Sequence, residues 1–412
     1  MAQTTTNEEL HAHVLRRLTI TAHPGQTEKN ASLDPLDVAA EIIEEGYASQ
    51  PKSQSLINYE ENGEEAFIKD WLLDLASPEA GLRDRMAWFW HNHLTTSLNK
   101  TQLVHVVDQR RLIAEHALGN FRELLQAITV DAAMLHYLDG SYSSGDEPNE
   151  NYAREVMELF ALGIGNYSEE DIRVAARGLS GWYVDYETDK VVFDAEDHFS
   201  RPLRFFGTRK RWTNESIIDE ICDQPECARH VSRAIYRHIV GGEPESQKLD
   251  ELADVFRSND LEIRPLLEAM VLGDDFLNHV RSRARSGIEF ISAVTATLGS
   301  DSLDPEPWSL WQLGQVPYYP PNVAGWPGDA RWLNASQALG RTGILFEAEL
   351  SDRLIDRLEP TVDKVLNHCG LFDVSEDTRA VMDAALKKFP AYDQGLEMLL
   401  NIAISSPEYS LA

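Results

Sequence analysis

Cysteine is scarce in this chain: Cys222, Cys227 and Cys369 are the only three in 412 residues. So few thiols, and an odd number of them, exclude the disulfide-dense scaffold of a small secreted domain. Cys222 and Cys227 stand farther apart than the usual zinc or redox pair and read as ordinary small buried side chains. Long apolar runs are missing as well. No segment approaches the roughly 18 residues of a membrane helix, and MAQTTTNEELHAHVLRRLT at the start lacks the apolar stretch of a secretory signal. A soluble, cytoplasmic protein without membrane insertion is expected, in which the sequons at Asn30, Asn166, Asn214 and Asn334 carry no glycan. Basic charge is sparse: 37 Lys and Arg face 68 Asp and Glu, for a net charge of −31. Such a field repels phosphate backbones and anionic lipid, so no nucleic-acid partner is expected. Also absent are the P-loop, the dinucleotide-binding glycine fingerprint, the nucleophile elbow and the HEXXH helix, which removes the common nucleotide, hydrolase and zinc-protease readings.

What is present is ample apolar material. Hydrophobic residues make up 43% and charged ones 25%, enough for a real core and too apolar for a disordered chain. The length suits a single large domain over 1–412, or two lobes over 1–198 and 199–412. Arginine outnumbers lysine, as both a high-salt cytoplasm and a GC-rich genome favour. Helical periodicity runs through most of the chain. Asn7, Asp34 before Pro35, and Ser168 read as helix caps, and Gly46, Gly119 and Gly163 as helix ends. WYVDYETDKVVFDAE breaks the pattern with two β-rich runs around a turn, so one hairpin is expected near 182–194. GQVPYYPPNVAGWPGDARWLN, residues 314–334, cannot be helical because of its prolines, and its aromatic side chains predict an ordered loop packed inward. The predicted fold is all-α, a multi-helix bundle with that hairpin and that loop.

Three groups of residues could carry chemistry. In WFWHNHLTTS, residues 88–97, a helical wheel puts His93 on the apolar arc with Leu82, Met86, Phe89, Trp90 and Leu94, and His91 on the opposite side. Either His93 alone faces inward, or the helix ends here. A buried imidazole needs partners for both nitrogens, which a metal or a core hydrogen bond would supply. In NENYAREVMELF, Glu155 and Glu158 are spaced i, i+3 and could point at one spot. Carboxylates near histidines build metal sites in helical bundles, whereas the plain reading is a solvated face with a Glu150–Arg154 ion pair. His198 follows the hairpin among Asp194, Glu196 and Asp197, as a surface histidine or a further ligand.

RMAWFWHNHLTTS, HALGNFRELLQAITVDAAMLHYLDG, PNENYAREVMELFALGIGNYSEEDIRVAARGLSGW and PPNVAGWPGDARWLN, in this order, resemble the domain-of-unknown-function 1800 family of bacterial proteins. The similarity begins at HVLRRLTITAHPG and runs to near the C-terminus. It implies a mostly helical protein without an assigned reaction. Its strongest motifs hold His91, Asn92 and His93; Asn149, Glu150, Asn151, Arg154, Glu155 and Glu158; Trp182; and Gly325, Trp326 and Pro327. The chain departs from the family at Thr21, where glycine is common, and at Phe199, where Asp often follows the histidine. It departs again at Arg201 or Arg204 in place of a lysine, and in lacking the export signal of many relatives. The departures around His198 weigh against a role for it.

The expected function is a metal-dependent enzyme, hydrolase or oxidoreductase, acting on a small-molecule or polymer substrate. His91, His93, Glu155 and Glu158 would be ligands, with His198 as a further candidate, and Glu155, Glu158 and Arg154 would serve catalysis. Mixed nitrogen and oxygen ligation suits Zn, Mn, Fe or Cu. The alternative is a non-catalytic helical scaffold or binding protein, docking a protein partner, whose His, Glu and Arg residues form a structural hydrogen-bond network. A third option is a metal-free hydrolase with Glu155 or Glu158 as base.

Overall fold

Thr6, rather than Asn7, caps the first helix, Asn7–Leu18: its hydroxyl accepts the N–H of Glu9 at 3.3 Å. The computed structural model describes residues 5–51, 59–303 and 305–412, with the side chains of 59–62, 274, 329, 346 and 347 outside the description. Other caps stand where the sequence puts them. Asp34 accepts from Leu36 N at 2.8 Å ahead of Pro35. Ser168 and Asp171 form a capping box at the start of Glu169–Gly178. Among the described residues there are 22 α-helices and two two-stranded antiparallel sheets, so the protein is all-α, as expected.

The expected hairpin pairs Trp182–Asp185 with Lys190–Phe193, Trp182 opposite Phe193. Asp185 closes its turn by accepting the N–H groups of Glu187 and Thr188. A second hairpin, Leu203–Phe205 with Thr208–Lys210, was not expected. Its two-residue turn needs positive φ at both positions; Gly207 supplies it readily at 87°, but Phe206 adopts 42° without being a turn-forming residue.

Two clusters of buried apolar side chains form the core. One gathers around Trp90, Phe121, Phe160 and Phe256, the other around Phe67, Trp71, Phe290 and Tyr318, and each draws residues from both sides of position 198. The Leu82–His93 helix runs between them. Met86, Phe89 and Trp90 enter the first cluster while Trp88 enters the second. A helix apolar on several faces is enclosed rather than half-solvated. That corrects the wheel: the helix continues through His93, and His91 is the more deeply buried of the pair, at 0% exposure.

The 314–334 loop is ordered and packed inward. Gln315, Val316, Tyr318, Trp326 and Trp332 are buried. Gln315 Oε1 accepts from Ile288 N at 2.8 Å, and Tyr318 O accepts from Leu98 N at 2.9 Å. The first satisfies an N–H in the opening turn of the Gly287–Leu298 helix, and the second a loop carbonyl that the proline-rich segment does not pair internally.

Candidate functional site

The GWP motif of the loop sits directly on the HNH motif of the Leu82–His93 helix. Gly325 has φ 75°, and a Cβ there would lie 2.4 Å from both the backbone oxygen and Oδ1 of Asn92. Only glycine allows that approach. It brings Trp326 N to Asn92 Oδ1 at 2.8 Å and lays the Trp326 ring over Trp88, centroids 6.1 Å apart. Asn92 O in turn accepts the Thr95 hydroxyl at 2.6 Å.

His91 is enclosed by Trp71, Trp88, Tyr318 and Trp326. Its Nε2 accepts the Tyr318 N–H at 3.3 Å, so the proton of the neutral ring is on Nδ1, which has no partner among the described residues. Burial, with Arg110 adding to it, pushes its pKa down to about 3. With its Nε2 lone pair turned to the Tyr318 N–H, the ring packs among these four aromatic side chains.

His93 is half-buried, stacked on Phe89, and donates from Nε2 to Phe160 O at 2.8 Å. His230 makes the same bond to Leu159 O, also 2.8 Å. Both carbonyls belong to the last turn of the Glu150–Glu155 helix and its π-helical continuation Val156–Ala161. A helix end leaves such carbonyls without backbone donors, and the two imidazoles cap them. Burial and then His230 push the His93 pKa down to about 4, so the ring is neutral and Nδ1 is its acceptor.

His93 therefore meets the glutamate segment through its backbone and not through its carboxylates. Arg154 donates to both oxygens of Glu169 at 2.9 Å and pairs with Glu150 at 3.4 Å. Glu158 accepts the Tyr167 hydroxyl at 2.6 Å. The Glu155 carboxyl is pushed up by burial and then by Glu158, so the i, i+3 pair does share one neighbourhood. His198 has Nδ1 3.0 Å from Ser180 O and Nε2 3.1 Å from Trp212 O, which ties the first hairpin to the segment after the second. Among the described residues no group of three or more His, Cys, Asp and Glu side chains is arranged to hold a metal ion.

What the motifs do enclose is a cavity of about 240 Å³ between the Leu82–His93 helix, the Pro225–Ile239 helix and the loop. Trp88, Phe89, Trp326 and Trp332 form its apolar walls, and Asn92, His93, Arg237, His238, Arg283 and Glu289 its polar ones. The last four of these were missed in the sequence. Arg237 also stands 3.3 Å from Glu243. His238 has no partner for Nε2, and burial, then Arg85 and Arg283, hold its pKa well below the usual histidine value.

Glu289 lies on the Gly287–Leu298 helix, which is otherwise apolar or hydroxylic. It accepts from Arg85, from Arg283 at 2.8 and 2.5 Å, and from Ser286 N at 2.8 Å. Burial works to raise its pKa, but Arg283 and Arg85 overcome it and hold the carboxyl well below its ordinary value. Three more buried arginines feel this carboxylate: Arg17, Arg285 and Arg341. Arg17 donates to neutral oxygens, Ser282 Oγ at 2.9 Å and His279 O at 3.3 Å. Arg285 lies over the Tyr409 ring and Arg341 over Phe290. Among the described residues Glu289 is the only carboxylate within ion-pair distance of any of the five.

The buried histidines set an acid-stability prediction. An unfolded histidine takes up a proton near 6.5, whereas folded His91 does so near 3 and His93 near 4. Between those values the unfolded state binds more protons, so stability present above pH 6.5 is lost as pH falls. At about 1.36 kcal/mol per unit, His91 alone accounts for roughly 4 kcal/mol at pH 3. His13 and His238 act in the same direction. Asp131 opposes them: burial raises it to about 7, so its contribution favours the folded state in acid. Glu155 and Glu220, also raised by burial, act with Asp131, but His23, His230 and His368 are lowered by burial and add to the four histidines above. The histidines outweigh the carboxyls, and the thermal midpoint should fall from pH 7 to pH 4. A midpoint that rises over that interval would contradict the neutral, buried assignment of these rings.

No curated protein and no solved structure matches the chain. Residues 13–411, nearly the whole length, match the family model described as Protein of unknown function (DUF1800), and the chain belongs to that family.

Proposed function

We propose that the chain is a small-molecule-binding protein whose ligand site is the cavity between the Leu82–His93 helix, the Pro225–Ile239 helix and the Gly325–Pro327 loop. The observation that carries this reading is the seating of Gly325 and Trp326 on Asn92. Residues 234 positions apart are bonded here. The side chains they fix, Trp88 and Trp326 among them, leave a cavity of about 240 Å³ unfilled where core packing ordinarily leaves none of that size. Aromatic walls with a few convergent polar groups are the usual make-up of a ligand pocket. At about 240 Å³ the cavity is smaller than the roughly 300–1,000 Å³ that takes drug-sized molecules, so a small metabolite fits it. His93, neutral with Nδ1 as its acceptor, would receive a hydrogen bond from the ligand.

Ala324 offers a direct test, because it lines the cavity and is itself exposed. Ala324→Trp should block the mouth while changing the unfolding midpoint little, as exposed substitutions usually stay within about 0.5 kcal/mol. In a thermal-shift screen of small metabolites, compounds that stabilise the natural chain should lose their effect on this variant. Stabilisers indifferent to Ala324→Trp, or a broad panel with none, would remove the reading.

A further inference from the structure

We propose that the ligand of this cavity is an anion, bearing a carboxylate or a phosphate group, and that its negative charge completes a balance that Glu289 leaves unfinished. This rests on the cavity being a ligand site, and a separate observation carries it. Arg17, Arg85, Arg283, Arg285 and Arg341 are all less than a tenth exposed; Arg85 and Arg283 bond Glu289 directly, and the other three feel the charge of that same carboxylate without pairing with it. Buried charges are ordinarily paired, because an unpaired one forfeits its hydration without return. Aromatic rings offset part of the excess at Arg285 and Arg341. Arg17, Arg85 and Arg283 have no such compensation beyond Glu289.

The shortage is of local anions only. The chain carries 68 acidic residues, yet this buried centre holds more cations than its own carboxylate can neutralise. Unused donors remain: Nε and Nη1 of Arg17, Nε of Arg85, Arg283 and Arg341, and Nη1 of Arg285 have no hydrogen-bond partner among the described residues. Arg283 connects the cluster to the cavity. Its terminal nitrogens hold Glu289, and the side chain lines the cavity beside Arg237 and His238. Guanidinium forks recognise carboxylate and phosphate alike, so both sources share the chemistry. Neutral His93 and His238 do not oppose an anion, and on the side of Glu289 and Arg283 the cavity wall is buried, where a charge attraction is screened less than in water.

The test is titration of the full chain with inorganic phosphate and with succinate, at ionic strength held constant by sodium chloride, with glycerol as a neutral control. The unfolding midpoint should rise with the logarithm of one anion's concentration, as binding to the folded state alone requires, while chloride and glycerol have no such effect. Whichever of phosphate and succinate acts more strongly identifies the source. Arg237→Gln should weaken that binding about tenfold, the loss of one charge-assisted hydrogen bond. Its exposed pairing with Glu243 contributes little to stability, so this variant should fold even if Arg283→Gln does not. Both anions behaving like chloride, or undiminished binding to Arg237→Gln, would overturn the inference. If neutral metabolites bind in an Ala324→Trp-sensitive way while both anions are inert, the charge assignment fails and the cavity reading stands. Anion binding that ignores Ala324→Trp would sink both.

Discussion

Glu289→Gln should destabilise the chain by about 3–5 kcal/mol, the loss seen when one partner of a buried ion pair is removed. The side chain is 2% exposed and gathers Arg85, Arg283 and the Ser286 N–H on its two oxygens. Glutamine keeps the size and can still accept from Ser286, so neither packing volume nor the helix cap is lost. What disappears is the one negative charge among five guanidinium groups. Burial already draws the Arg85 guanidinium down to about 10 and Arg17 well below its usual value, with Glu289 opposing the shift in both. Without it, Arg85, Arg283 and Arg17 repel one another in a region where water does not screen them. Two controls divide the effect. Ser286→Ala removes the cap hydroxyl that accepts from Glu289 N, which should cost about 1 kcal/mol. Glu289→Asp retains the charge at a shorter reach and should fall between that and Gln. Urea unfolding midpoints of the three variants provide the comparison, and a Gln variant no worse than the cap variant would mean that the carboxylate does not hold the cluster together.

Local rules made much of the fold legible. Asp34 before Pro35 and Ser168 before Asp171 act within a few residues, so the helix starts could be read from neighbours alone. Alternating β-branched and aromatic residues around Glu187 and Thr188 placed the first hairpin, and the prolines of 314–334 ruled out a helix there. The readings that failed depend on what lies across the fold. Phe206 gives no hint of positive φ, so the second hairpin was invisible. A helical wheel assumes a wet side, and the Leu82–His93 helix has none to offer His91 because Trp71 and Tyr318 cover it. The i, i+3 spacing leaves Glu155 within the electrostatic reach of Glu158, but spacing cannot say which way a pair faces; Glu158 turns to the Tyr167 hydroxyl. Arg17, Arg85 and Arg283 come from three distant segments, and nothing local marks them as neighbours. One signal was there to use: Glu289 is the lone charge in GIEFISAVTATLG, a stretch that reads as buried. A lone acid in such a helix implies cations facing it.

Gly325→Ala should cost about 3 kcal/mol and abolish ligand binding at the cavity, although it adds a single methyl group. At φ 75° an alanine carries roughly 1 kcal/mol of backbone strain. The larger part comes from the 2.4 Å approach of its Cβ to Asn92 O and Oδ1. The backbone oxygen is fixed by the Leu82–His93 helix, so the loop must retreat. Retreat breaks the bond from Trp326 N to Asn92 Oδ1, and an unsatisfied buried group of that kind costs about 1–3 kcal/mol. Trp326 then leaves its place over Trp88, and the wall of the cavity goes with it. Gly328, three residues on, separates this account from general loop flexibility. Its φ is −93°, and the nearest atom to a Cβ there is Arg237 Nη2 at 3.9 Å. Gly328→Ala should therefore be neutral or stabilise by up to about 1 kcal/mol, because it restricts only the unfolded chain. Thermal midpoints and ligand titrations on both variants decide the matter: equal losses at 325 and 328 would show that the loop is held by something other than its contact with Asn92.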